Sequence, residues 1–137
     1  MKRIYFTLLF LFLILLFFFA ACDDTVVGDE LDKIVIPDKE VSYRKYINPV
    51  LQAKCAAAGC HEDATRAGGL SVTTYANLTE DRAIVFPYLP ESSQLVWSIE
   101  GQYGAPVMPP LGATVYPVNA NQIKGIKTWI KEGAFNN

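Results

Sequence analysis

Four residues of types that bind metals or attach cofactors stand out in the sequence. Two cysteines and the single histidine of the chain lie in one heptapeptide, Cys55-Ala56-Ala57-Ala58-Gly59-Cys60-His61, and Met108 lies in Pro106-Val107-Met108-Pro109-Pro110. A c-type haem needs two thiols to bond its vinyl groups, and an imidazole beside the second thiol to bind the iron. The adjacency of Cys60 and His61 meets this requirement.

The motif has four residues between its cysteines, whereas the usual haem-attachment pattern has two. The second cysteine and the histidine fix the iron, so the first cysteine needs only enough chain to reach the other vinyl group. The intervening alanines and glycine are small enough to fold against the ring without a clash. The pattern therefore favours haem attachment through one or both cysteines.

Met108 is a candidate for the sixth iron ligand. Haem iron in electron-transfer proteins prefers such a ligand, and a thioether raises the reduction potential relative to a second imidazole. Apart from Met1, Met108 is the only methionine, and flanking prolines restrict the conformations of its loop. Most methionines fill gaps in a core, but a position in a proline-rich loop favours the ligand interpretation.

The first clear helix is predicted to run into Cys55. Ser42 is its candidate N-cap, and Pro49 either kinks the helix or delays its start to Asn48. Its apolar stripe follows helical spacing and consists of Tyr43, Ile47, Val50 and Leu51.

The last helix has the clearest pattern, with Asn119 or Asn121 as its cap and Gly133 as its stop. Weaker helical spacing covers residues 75–83 and 92–100, and the segments 64–71 and 101–118 are rich in glycine and proline. No segment has a convincing strand pattern. The predicted fold is a small all-α domain, and long loops in so compact a domain call for a functional or cofactor explanation.

The chain begins with a hydrophobic leader. Lys2 and Arg3 precede an almost unbroken apolar run, and Ala20-Ala21 directly before Cys22 resembles a bacterial lipobox. We expect residues 1–21 to be a signal peptide and Cys22 to be lipidated. The protein would then be exported and held on the periplasmic side of a bacterial membrane or at the cell surface.

Residues 22–40 are acidic and weakly patterned, so we expect them to form a linker before a domain at 41–137. Without the leader the chain has 10 basic and 14 acidic residues. That balance gives no support to nucleic-acid binding, which usually requires a basic face. The length suits one small domain and excludes a multi-domain enzyme.

Five segments, in order, resemble the planctomycete-type cytochrome c domain found in bacterial lipoproteins. They are the first helix, Cys-x4-Cys-His, residues 67–75, Met108-Pro109-Pro110 and residues 126–134. The resemblance implies a class I-like cytochrome c fold with one covalent haem c on Cys55 and Cys60. It implies His61 as the proximal and Met108 as the distal iron ligand, in a carrier that passes single electrons between redox partner proteins.

Three other interpretations use the same residues. An exported chain can form a Cys55–Cys60 disulfide, which would make it a non-haem structural or binding lipoprotein. A zinc site from Cys55, Cys60 and His61 would need Glu62 or Asp63 as its fourth ligand. Enzymatic catalysis has little support because His61 is the only imidazole available as a base.

Large apolar residues and nearby cations are candidates for the surroundings of a haem. Arg66 and Arg82 are candidate partners for the propionates, with solvated surface charge as an equally good alternative, and Lys54 is a candidate for steering a redox partner. The expected apolar shell consists of Leu51, Leu70, Trp97, Tyr103, Val107 and Trp129.

Overall fold

The computed structural model describes residue 3 and residues 28–137. The expected signal peptide, apart from Arg3, and the expected lipidation site Cys22 lie outside these residues. Within 28–137 the regular elements are all helical, which confirms the all-α prediction. The α-helices are α1 (Gly28–Leu31), α2 (Asn48–Lys54), α3 (Tyr75–Thr79), α4 (Gln94–Glu100) and α5 (Ala120–Lys131), joined by a π turn (Tyr43–Ile47) and 3₁₀ turns (Ala67–Gly69, Pro90–Ser92).

The helix before Cys55 is built in two parts. Ser42 caps a π turn by accepting a 3.2 Å hydrogen bond from the Lys45 amide, and regular α geometry begins at Asn48. Pro49 lies in the first turn of α2, where its missing N–H needs no partner within the helix. Of the two predicted alternatives, regular α geometry does start at Asn48, but the capped π turn carries the helical stretch back to Tyr43. The helix α2 ends directly before Cys55.

The last helix, α5, begins with a reciprocal capping box. The Asn119 side chain accepts a bond from the Gln122 amide at 2.9 Å, while the Gln122 side chain accepts one from the Asn119 amide at 3.0 Å. These bonds satisfy amides that have no partner within the helix. The choice between Asn119 and Asn121 is thereby settled in favour of Asn119.

Aromatic and aliphatic side chains of α5 and the π turn form the centre of the core. Trp129, Ile126 and Ile130 are almost fully buried, and the rings of Trp129 and Tyr43 lie 5.3 Å apart. Tyr75 joins them at 5.2 Å from Tyr43. The π turn near the start of the domain therefore packs against α5 near its end.

The two weaker helices are shorter than predicted. The helix expected at 75–83 ends at Thr79, although Thr74 caps it through a 3.1 Å bond from the Asn77 amide. The helix expected at 92–100 begins at Gln94, after the 3₁₀ turn. Residues 101–118 form no helix or strand, as expected from their glycine and proline content.

The segment expected to be an acidic linker contributes to the core from Leu31 onward. Leu31 and Ile36 are buried, and the Asp32 carboxylate lies 2.6 Å from the ammonium of Lys54. Apolar burial and this ion pair hold the segment on the domain. No helix among the described residues is long and apolar enough to cross a membrane.

Candidate cofactor site

The loop between Cys55 and His61 folds back on the end of α2. The Cys60 amide donates to the Ala57 carbonyl at 2.9 Å, and the His61 amide donates to the Cys55 carbonyl at 3.0 Å. Gly59 has a φ of +81°, a conformation that glycine adopts without steric cost. The four-residue spacing therefore forms a compact turn that returns Cys60 and His61 to the end of the helix.

Both cysteines of this turn are free thiols. Cys55 is buried, and this burial, with a smaller contribution from nearby Cys60, raises the pKa of its thiol to about 11. Cys60 is half-buried. No group of three or more His, Cys, Asp or Glu side chains within 28–137 is arranged to hold a metal ion, so the geometry gives no support to the zinc interpretation.

His61 contains a buried polar atom without a partner. Its Nδ1 makes no hydrogen bond to any described residue, and leaving such an atom unsatisfied is costly. The His61 backbone is held on both sides, because its carbonyl also accepts from the Val72 amide at 2.9 Å. A held backbone and an imidazole with an unpartnered nitrogen suit a metal ligand, and in this respect the residue fits a haem.

Met108 is positioned by α4. Its amide donates a 3.0 Å hydrogen bond to the carbonyl of Ser98, and its side chain is half-buried. This bond attaches the loop 101–118 to the helix whose Leu95 and Ile99 are buried. The methionine therefore has a defined place relative to the walls of the site.

Two adjoining cavities meet at three of the four predicted site residues. Their volumes are about 100 Å³ and about 150 Å³, so each alone is smaller than a typical ligand site of roughly 300–1,000 Å³. Cys55, His61 and Met108 border both cavities, and Cys60 borders one. The first, which we call the Leu70 cavity, is lined in addition by Leu70, Val72, Ile84, Gln94, Leu95, Ser98 and Ile99. The second, which we call the Pro109 cavity, is lined in addition by Lys54, Gly59, Cys60, Ala67, Pro109, Pro110, Ala113 and Val115.

The expected apolar shell is correct only in part. Leu70 lines the Leu70 cavity, and Val107 borders a third cavity beside Met108. Leu51 and Trp129 instead lie in the core. The rings of Trp97 and Tyr103 pack against each other at 5.4 Å, and neither residue lines the Leu70 or Pro109 cavity.

Most residues that line the two cavities are outside the set predicted from the sequence. Leu95 and Ile99 lie one helical turn apart on α4 and both face the Leu70 cavity. Their spacing was visible in the sequence and is the signal that could have identified them. Val72 and Ile84 lie in or beside loops, where no periodic pattern marks the buried face.

The three candidate cations have other partners. Arg66 lies 3.9 Å from Asp63, and the Arg82 guanidinium lies 5.6 Å from the centre of the Phe86 ring. Neither arginine lines the Leu70 or Pro109 cavity. Lys54 is almost fully buried against Asp32, so it is not an exposed steering charge, contrary to expectation.

Comparison with known proteins gives one match. Residues 58–112 match the family model described as Planctomycete cytochrome C. Neither a curated protein nor a solved structure matches the chain. The matched segment includes Cys60, His61 and Met108 and begins three residues after Cys55. The match confirms the resemblance seen in the sequence: residues 58–112 are similar to planctomycete cytochrome c domains, which fits a haem-binding electron carrier.

Proposed function

We propose that the protein is a membrane-tethered monohaem c-type cytochrome that passes single electrons between exported or membrane redox proteins. The observation that carries this proposal is the convergence of Cys55, His61 and Met108 on two adjoining cavities. When bound there, haem supplies an iron centre that accepts and releases one electron between its ferric and ferrous states.

Different residues of the site hold different parts of the proposed cofactor. Cys55 and Cys60 would hold the haem covalently through their sulfurs, each thiol adding its S and H across one vinyl group. His61 would hold the iron as the proximal ligand through a ring nitrogen, and Met108 would hold it as the distal ligand through its sulfur. The hydrogen bond between the His61 amide and the Cys55 carbonyl closes the turn from Cys55 to His61, which we call the attachment turn.

The apolar walls set the electrostatic environment of the site. Val72, Leu95 and Ile99 are buried side chains that give the Leu70 cavity a mostly apolar wall. A medium of low polarity disfavours the additional positive charge of the ferric state. Together with methionine ligation, these walls favour a relatively high reduction potential.

The proposed location follows from the leader. Its apolar run and the Ala20-Ala21-Cys22 sequence support export, removal of residues 1–21 and lipidation of Cys22. One acyl chain anchors a protein only marginally, whereas two or more hold it stably. The redox partners are then proteins that reach the same side of that membrane.

The decisive experiment is a visible spectrum and an intact mass of the protein, purified from a host that matures c-type haem. The sample is denatured and extracted with solvent before both measurements. We expect the colour to survive and the mass to rise by one haem without loss of hydrogen. A colourless chain lighter by two hydrogens would contradict the proposal and favour the lipoprotein with a Cys55–Cys60 disulfide.

A further inference from the structure

The loop between α4 and α5 combines two properties that rarely occur together on a protein surface. Residues 101–118 contain no Asp, Glu, Lys, Arg or His. The same loop exposes large apolar or aromatic side chains, with exposed fractions of 76% for Tyr103, 52% for Val107, 100% for Leu111 and 65% for Tyr116. A concentration of exposed apolar side chains marks a surface that contacts something other than water. We refer to residues 101–118 as the uncharged loop.

The lining of the two cavities beside His61 does not account for this exposure. None of these four side chains lines the Leu70 cavity or the Pro109 cavity. Val107 and Leu111 instead border a third cavity, together with Pro117 and Val118. Tyr103 also packs against the ring of Trp97, whereas Leu111 and Tyr116 stay exposed and line neither of the two cavities beside His61.

The start of the described domain lies against the end of the uncharged loop. The Lys54 ammonium lies 2.6 Å from the Asp32 carboxylate and donates a second bond, of 2.8 Å, to the Pro117 carbonyl. The Asn119 side chain donates a 3.3 Å bond to the Asp32 carbonyl. Because α1 covers only a single turn, Gly28 lies close to the same place.

The chain between Gly28 and the proposed lipidation site is short. Six residue steps separate Cys22 from Gly28, and a fully extended chain spans at most about 3.6 Å per residue, or about 22 Å in all. A lipid on Cys22 thus keeps Gly28, and the end of the uncharged loop beside it, close to the membrane surface.

We infer that the uncharged loop docks on the lipid surface of the membrane that holds the anchor. This inference rests on the lipidation of Cys22 in the proposed function. Leu111 and Val107 bury apolar surface at the acyl boundary, and Tyr103 and Tyr116 suit the interface, where tyrosine is enriched. The loop carries no charge that must lose its hydration there.

Docking also gives the site an orientation. Met108 belongs to the uncharged loop, and its amide is attached to α4 through Ser98. Contact between the loop and the membrane therefore places the Met108 side of the site towards the lipid. A redox partner that approaches this side would itself be embedded in the membrane or bound to it.

The test uses the full-length holoprotein reconstituted into phosphatidylcholine vesicles that contain no other protein. Amide hydrogen exchange is measured by mass spectrometry across residues 101–118. The amides of Leu111, Gly112 and residues 114–116 donate no hydrogen bond to described residues, so their exchange reports a new environment directly. Leu111→Glu tests the loop, and Leu89→Glu is a matched control at a leucine that is 49% exposed elsewhere on the surface.

We expect exchange in the loop to be roughly tenfold slower in the parent protein and Leu89→Glu than in Leu111→Glu. Equal, fast exchange in all three proteins would overturn the inference. Protection that appears only after a redox protein is added would also overturn it, in favour of a protein partner.

The same samples separate this inference from the proposed function. The visible spectrum reports haem, and the intact mass reports the lipid on Cys22. A red, lipidated protein with an unprotected loop contradicts docking alone, whereas a colourless protein with a protected loop contradicts electron transfer alone. A chain without lipid lacks the anchor on which docking depends, and that result overturns the inference.

Discussion

The amide of His61 donates a 3.0 Å hydrogen bond to the carbonyl of Cys55, the residue that directly follows α2. This bond closes the attachment turn across its full length. An additional pair of residues between the cysteines therefore does not move the histidine away from the first thiol. The wider spacing is absorbed by the turn at Gly59, where the backbone adopts a positive φ.

The proposed iron ligands differ in the result expected when each is removed. His61→Ala should abolish the low-spin spectrum, because no other imidazole exists in the chain. Met108→Ala should change the ligation and leave the haem attached, since the cysteines are intact. Visible spectra before and after denaturation measure both effects. Val107→Ala is the control, because Val107 precedes Met108 and lines neither cavity beside His61; spectra identical to the parent in both ligand variants would refute the assignment.

In the haem-free protein the two thiols should react at different rates. Burial raises the pKa of Cys55 to about 11, so at pH 8 only about one in a thousand of its thiols is ionised. Cys60 is more exposed and should be alkylated first by iodoacetamide, as peptide mass spectrometry over time would show. Simultaneous modification of both cysteines would contradict the burial of Cys55.

The Asp32–Lys54 ion pair should stabilise the domain more than an exposed pair does. Asp32→Asn leaves the buried Lys54 ammonium without its carboxylate, and we expect a loss of roughly 2 kcal/mol in the free energy of unfolding, discounted because Asp32 is partly exposed. Denaturant titration measures this loss. Asp38→Asn is the matched control, because Asp38 and Lys124 form an equally short but exposed pair and should contribute little.

The same pair predicts a pH dependence. The hydrogen bond from Lys54 lowers the pKa of Asp32 below its ordinary value of 3.8. A lowered pKa in the folded state gives stability that is present above pH 3.8 and is lost as the pH falls through the folded-state pKa. The advantage of the parent over Asp32→Asn should therefore shrink below about pH 4. An advantage that grows on acidification would contradict the ion pair.

Substitutions at Leu70 and Trp129 should change different properties, because Leu70 lines the candidate site and Trp129 lies in the core. Leu70→Ala opens a wall of the Leu70 cavity to water and should lower the reduction potential. Trp129→Phe loses core packing and the 2.9 Å bond to the Phe135 carbonyl, so it should cost about 2 kcal/mol of stability with little change in potential. Redox titration and thermal unfolding of both variants measure these effects. A larger potential shift for Trp129→Phe would place the tryptophan at the site after all.

The sequence revealed local features well, because caps and helical spacing are short-range properties. Ser42, Pro49 and Asn119 act where the pattern predicted, since each satisfies or omits a hydrogen bond within one helical turn. The cysteines, histidine and methionine were recognisable because their types are scarce in the chain. Their convergence on adjoining cavities depends on the path of the loops and was not visible in the spacing.

Long-range pairing explains the errors. Trp97 was expected in the shell of the site, but residue type does not reveal whether a ring faces a cavity or a neighbouring loop; Trp129 packs in the core, as the apolar face of the last helix predicted first. The acidic composition of the segment before Val41 hid the burial of Leu31 and Ile36. The pairing of Asp32 with Lys54 was not predictable from composition either, because the two residues are distant in sequence and only the fold brings them together.

The hydrogen bond between the Met108 amide and the Ser98 carbonyl has a consequence for how the site can vary. The helix α4, to which Met108 of the uncharged loop is attached, also supplies Leu95 and Ile99 as walls of the Leu70 cavity. A substitution that displaces α4 therefore changes the distal ligand and the access of water at the same time. Tuning one of these properties without the other requires changes at positions outside this helix, such as Leu70 or Val72.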